Sequence, residues 1–143
     1  MSTTFARRRT AALLSVVALA AGAVPALAAS KNGITPKAPK KNATVNVGSE
    51  PTFKGTFSGP GKIFVQVSKS PKRDANGLIG SDGLIQQAKK KGSTFKAKAK
   101  FFDFAGYWLN TPGTYYWQAY RIACEGDTSD CSQEGPTVKF KVK

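Results

Sequence analysis

An all-β fold, a single antiparallel β-sandwich of about seven strands behind an N-terminal signal peptide, is what this 143-residue sequence predicts. Three observations carry it. Short runs alternate apolar and polar residues, turn-forming Gly, Pro, Asn and Ser separate those runs, and no window holds a sustained, capped helical period. Once the export segment is set aside, roughly 100 to 115 residues remain, which is room for one core.

The export segment comes first in the chain. Arg7, Arg8 and Arg9 form a basic start, residues 11–24 form an apolar run, and Pro25 ends it so that Ala26-Leu27-Ala28 reaches the peptidase in extended form. Cleavage is placed after Ala28, with Ala29 the neighbouring alternative. The apolar run is about 14 residues, short of the ~20 that cross a bilayer, which favours a cleaved leader over a membrane anchor. Ala11 and Ala12 follow the arginines where a twin-arginine signal carries stronger hydrophobes, so general secretion and a secreted, extracellular protein are expected.

Residues 29–41 are rich in Lys and Pro with one strong hydrophobe, Ile34, and read as a flexible lead. The domain then runs over residues 42–143. Its first run places Val45 and Val47 on one face. The second sets Phe53, Gly55 and Phe57 against Lys54 and Thr56, which predicts a strand with one dry side and one wet side. A Ser-Gly-Pro-Gly turn at residues 58–61 leads to a central strand with Ile63, Val65 and Val67 inward and Phe64 and Gln66 outward. Residues 73–91 are the least readable part: residues 80–83 suit a hairpin turn, and residues 84–91 suit either a short helix or an irregular edge strand, the latter being preferred. Residues 94–101 alternate Phe95, Ala97, Ala99 and Phe101 with Lys96, Lys98 and Lys100, and lysines so placed would keep a strand from pairing edge to edge with another molecule. The last two strands are expected over residues 114–124 and 137–143.

The segment Leu109-Asn110-Thr111-Pro112-Gly113-Thr114-Tyr115-Tyr116-Trp117-Gln118-Ala119 resembles the approach to the sixth strand of fibronectin type III domains. Glu50-Pro51-Thr52-Phe53 resembles the second strand of that family, and the alternation from Gly135-Pro136 to Val142 resembles its closing strand. The resemblance implies a fibronectin type III-like sandwich in which Tyr115 takes the tyrosine-corner position, its hydroxyl bonding back to the preceding loop, with Leu109 beneath it. It implies a spacer or adhesion-type module and no catalysis. Two features depart from the pattern: residues 73–91 are longer than expected, and Arg121 stands where a small inward residue is usual.

The formal charge is +14, and removing the three leader arginines leaves +11. Of the remaining basic residues only Arg73 and Arg121 are not lysine, which favours point-charge attraction to polyanions over bidentate recognition. Solubility alone accounts equally well for such a charge. Cys124 and Cys131 flank Glu125-Gly126-Asp127-Thr128-Ser129-Asp130, and in an exported chain they are expected to form a disulfide. With no His in the chain, the commonest general base and the usual hydrolase arrangements are missing, so no enzyme, no cofactor and no metal site are expected. Asp74-Ala75-Asn76-Gly77 is a fragment of a calcium loop without its closing Glu and reads as a plain turn.

If Tyr115, Trp117 and Ala119 point inward, then Tyr116, Gln118 and Tyr120 point outward beside Phe64, Gln66, Lys139 and Lys141. These seven residues make a candidate binding face for sugars or anionic polymers. Cross-strand packing explains the same residues without a ligand and is the preferred reading. The function expected is that of a monomeric, secreted or envelope-associated binding or structural module. Its expected partner is an anionic cell-envelope polymer or another surface protein; the charge also permits peripheral membrane contact. Extracellular nucleic-acid or acidic-lipid binding is the alternative.

Overall fold

The computed structural model describes residues 29–80, 84–98, 109, 111–124 and 131–143. The expected signal peptide, the turn at residues 81–83, the end of the alternating run at 99–101 and the acidic loop at 125–130 lie outside them. Among the described residues the chain is β throughout. It forms nine strands: β1 (Ile34–Ala38), β2 (Thr44–Val45), β3 (Thr52–Phe57), β4 (Lys62–Ser68), β5 (Leu84–Gln87), β6 (Lys89–Lys91), β7 (Thr94–Lys98), β8 (Gly113–Ile122) and β9 (Ser132–Val142).

The strands make two sheets, one ordered β1-β3-β7-β6 and the other β2-β9-β8-β4-β5. Every pairing is antiparallel except that of β2 with β9. Large side chains from both sheets meet in one core. Phe53 of the first sheet sets its ring edge against Trp117 at 5.5 Å and Phe140 at 5.9 Å, both on the second. Ile34, Phe57, Phe95 and Ala97 complete one inner face, and Val65, Val67, Tyr115, Ala119, Val138 and Val142 the other. Each such side chain taken fully from water contributes about 1.5–3 kcal/mol, which is why strict alternation, once present, settles which face turns inward.

The stretch expected to be a flexible lead contains β1. Ile34 is fully buried, and Thr35 pairs with Thr56 of β3. Composition pointed to looseness, but one well-placed hydrophobe anchors the segment. Pro36 is tolerated because β1 is an edge strand, and a register shift between Pro36 and Ala38 takes up the irregularity. The chain then passes to the second sheet, where the Trp117 indole N–H donates to the carbonyl of Pro39 at 3.0 Å, so the buried ring keeps a polar partner.

Close approach explains the glycine in β3. A Cβ on Gly55 would lie 2.4 Å from the carbonyl oxygen of Thr35 and 2.7 Å from the Phe95 ring, so the backbone there leaves space only for hydrogen. Residues 84–91 are not helical. They form β5 and β6, which belong to different sheets; the chain crosses between them at the buried Ala88, whose N–H donates to the Ile63 carbonyl at 2.8 Å.

The lysines of β7 do not guard an edge. β7 lies between β3 and β6, with ladder partners on both sides. The edge falls to β6, whose three residues are all exposed lysines. Of these, Lys90 turns inward, holds its ammonium 5.4 Å from the Phe57 ring centre and donates to the carbonyl of Gly61 at 2.6 Å, an inward charge that suits an edge strand.

Candidate functional site

Strand register brings most of the expected binding face together. Phe64 lies opposite Tyr120, Gln66 opposite Gln118, and Tyr116 opposite Lys139, while Lys141 sits one pair further along β9. The side chains do not form an open platform, however. Gln66 is 2% exposed, Gln118 0% and Tyr120 6%. Tyr116, Lys139 and Lys141 remain at least partly exposed as neighbours towards one end of the sheet, and Phe64, also partly exposed, lies apart from them beside Tyr120. The aromatic pair Phe64 and Tyr120 stacks at 5.4 Å, which is cross-strand packing. Desolvation pushes the Tyr120 phenol up to about 12.

What closes this face is the segment of residues 69–80. Ile79, 1% exposed, lies over the sheet. Its N–H donates to Gln118 Oε1 at 3.0 Å, and its carbonyl accepts from Gln66 Nε2 at 2.9 Å. Gln118 Nε2 donates in turn to the carbonyls of Gly77 at 3.1 Å and Gly135 at 2.9 Å. The two glutamines thus serve as partners for backbone groups of this loop and of Gly135 on β9, and their polar atoms are satisfied out of water.

Local chemistry shapes that loop. Asp74 Oδ1 accepts from the N–H groups of Asn76 and Leu78, both at 2.9 Å, so the calcium-loop fragment is built as a side-chain-capped turn. Arg73 ties the turn down, donating to Gly77 O at 3.1 Å and to Thr137 Oγ1 at 2.8 Å. At its margin Glu134 takes an ion pair from Lys31 at 2.5 Å and a side-chain hydrogen bond from Asn32 at 3.2 Å. Burial alone would raise the Glu134 carboxyl; the hydrogen bonds from Lys31 and from its own backbone, with the charges of Lys31 and Arg73, outweigh that and hold it below its ordinary value of 4.5.

Tyr115 is fully buried, and its hydroxyl donates to the carbonyl of Thr111 at 2.9 Å, back across the turn that precedes β8. Leu109 packs in the same core. Arg121 occupies an inward position, 8% exposed, and donates to Ser58 O at 2.7 Å and to Gln133 Oε1. Cys124 and Cys131 are joined in a disulfide, with 5.9 Å between their Cα atoms, at the end of β8 and the start of β9. Such a bond is compatible with an extracellular location.

The opposite surface of the molecule carries a feature that sequence reasoning missed. Outward from β3 point Thr52, Lys54 and Thr56; from β7, Thr94, Lys96 and Lys98; and from β6, Lys89 and Lys91. Lys54 lies directly opposite Lys96, and Lys96 directly opposite Lys89, so one row of the sheet is lysine across three strands. In the next row Thr52 faces Lys98. No Asp or Glu occurs in any of the four strands of this sheet. The alternation that produces this face was visible within each run; the pairing that sets lysine against lysine was not.

Among the described residues no three His, Cys, Asp or Glu side chains are grouped so as to hold a metal ion, and no helix is long and apolar enough to cross a membrane. No protein-family model matches the chain, and comparison with curated proteins found no match.

Proposed function

We propose that this chain is exported through a signal peptide cut after Ala28, and that its body is a fibronectin type III-like β-sandwich. In this reading it is a secreted or envelope-associated, non-enzymatic binding or structural module that acts on anionic partners. The observation that carries the reading is the lysine-bearing outer face of the β1-β3-β7-β6 sheet, in a chain whose formal charge without the leader arginines is +11. Export is supported by the basic-apolar-small pattern of residues 1–28 together with the Cys124–Cys131 disulfide. The sandwich is supported by the shared core of the two sheets and by the Tyr115-to-Thr111 hydrogen bond before β8. With the two shortest strands, β2 and β6, set aside, seven remain, three in one sheet and four in the other.

The test is retention of the mature protein on isolated cell-envelope polymer at low and high salt. Retention at about 20 mM salt that is lost by about 500 mM is expected for attraction by lysine charges. Absence of retention at low salt contradicts the reading.

A further inference from the structure

Among the described residues, Lys54, Lys96 and Lys98 stand on the outward face of the four-stranded sheet, whose strands hold no carboxylate. Lysines on a strand commonly guard a sheet edge, but β3 and β7 are both interior strands with partners on each side. Like charges directly opposite on one face of a sheet repel, and here Lys54, Lys96 and Lys89 stand in a single cross-strand row with Lys98 two residues along β7. The neighbours are Thr52, Thr56 and Thr94, which add hydroxyl donors and no negative charge. The arrangement is unfavourable for the free protein and favourable once an anion lies across it.

We infer that the outward face of β3, β7 and β6 is the docking surface for a linear, phosphate-bearing polymer without aromatic bases, held by Lys54, Lys96 and Lys98 with Lys89 in the same row. This rests on the reading of the protein as a binding module for anionic partners, and it names the surface and the polymer chemistry. Three features argue for that chemistry. Strands stand ~4.8 Å apart and alternate residues along a strand ~6.8 Å apart, so the ammonium groups form a grid that an extended polyanion can cross at several points. The charged groups are lysines, which contact phosphate as point charges on flexible stems and impose no bidentate geometry. Among the described residues, the outward positions of β3, β6 and β7 hold hydroxyls and ammonium groups and no aromatic ring of the kind on which single-stranded nucleic acids stack.

The experiment compares two triple variants of the full mature protein, oxidised at Cys124 and Cys131, against long-chain inorganic polyphosphate. In the first, K54T/K96T/K98T, charge is removed from the proposed surface with a residue that favours strands. In the second, K139T/K141T/K143T, the same charge is removed from the other sheet and the chain end. The first variant is expected to bind polyphosphate at least about tenfold more weakly than the parent, with a salt dependence shallower by about 2 in log–log slope, and the second to change affinity less than about threefold. Equal losses in the two variants overturn the assignment of the surface while leaving anion binding intact. Failure of the parent protein to bind polyphosphate, cell-envelope polymer or any other polyanion at low salt overturns the broader reading as well. Single-stranded DNA of matched charge that displaces polyphosphate overturns the polymer chemistry. Lysine methylation read by mass spectrometry on the unsubstituted protein keeps the test independent of folding: polyphosphate should protect Lys54, Lys96 and Lys98 more than Lys139 and Lys141, and the reverse pattern overturns the proposal.

Discussion

The two sheets present different outer surfaces, and the contrast between them separates polar side chains buried beneath a loop from lysines that stay exposed. On the β2-β9-β8-β4-β5 sheet one outward row carries Gln66 and Gln118, over which the segment of residues 69–80 lies, and the next carries the stacked Phe64 and Tyr120. On the β1-β3-β7-β6 sheet the outward rows carry lysine and threonine, and the lysines are exposed. The aromatic surface has the composition of a binding platform and is used internally. The lysine surface has the composition of any solvated strand face until the register sets like charge against like charge. Aromatic and amide side chains can satisfy a loop and so attract one, whereas a row of ammonium groups has nothing to offer a neutral backbone beyond hydrogen bonds it already makes with water.

The covered face should respond most to loss of its central glutamine. Gln118→Leu keeps the volume and removes hydrogen bonds to Ile79, Gly77 and Gly135 at once, leaving buried backbone groups unpaired; about 3 kcal/mol of stability should be lost in urea unfolding, with faster proteolysis within residues 69–80. If the variant unfolds like the parent, the loop is not held as described. Reduction of the Cys124–Cys131 disulfide should cost about 2.5 kcal/mol by the loop-entropy argument, read as a lowered denaturation midpoint, and should leave polyphosphate binding unchanged because the bond lies away from the lysine rows.

Smaller effects sharpen the comparison. Glu134 contributes through a carboxyl held below its ordinary value, so its share of stability is complete above about pH 4.5 and is lost as the pH falls through the lower folded value. Because the ion pair with the half-exposed Lys31 is near solvent, Glu134→Gln should cost about 0.5 kcal/mol at neutral pH, and the difference from the parent should vanish in acid denaturation at lower pH. Tyr120 has the opposite sign. Its raised folded value means that stability is complete below the ordinary tyrosine value of 10.0 and falls as the pH rises towards about 12; Tyr120→Phe should remove that alkaline loss, which thermal melts at about pH 9 and about pH 11 would show. Smallest is Lys96→Thr on the open face, which should raise stability by up to about 0.5 kcal/mol by relieving repulsion from Lys54 and Lys89, a gain visible as a higher melting temperature at low salt and absent at high salt. Destabilisation by this substitution would remove the argument that the lysine row opposes folding.

Much of the architecture was legible in the chain because alternation is a local signal. Phe53, Gly55 and Phe57 against Lys54, and Phe95 and Ala97 against Lys96 and Lys98, assign inner and outer faces without knowledge of the partners. The bond from the Tyr115 hydroxyl back to the preceding loop was implied by the resemblance of residues 109–119 to a known domain family, not by alternation, and it closes over four residues. What could not be read was anything set by long-range placement. β1 was hidden by the lysines and prolines of residues 29–41, because the value of Ile34 depends on the place opposite Phe57 that only pairing creates. The Gln66–Gln118 pair read as a surface because nothing local announces that residues 69–80 fold back over it; polar side chains with buried partners are indistinguishable in sequence from polar side chains in water. The lysine row escaped notice for the converse reason, each lysine being ordinary until β3, β7 and β6 stand side by side.

The most direct test of this division is a map of backbone amide shifts in the mature protein titrated with long-chain polyphosphate. Shifts concentrated in β3 and β7, around Lys54, Lys96 and Lys98, with those of Gln66, Gln118 and Ile79 unmoved, are the predicted result. Shifts concentrated instead around Tyr116, Gln118, Lys139 and Lys141 would place the binding surface on the aromatic sheet and contradict the account.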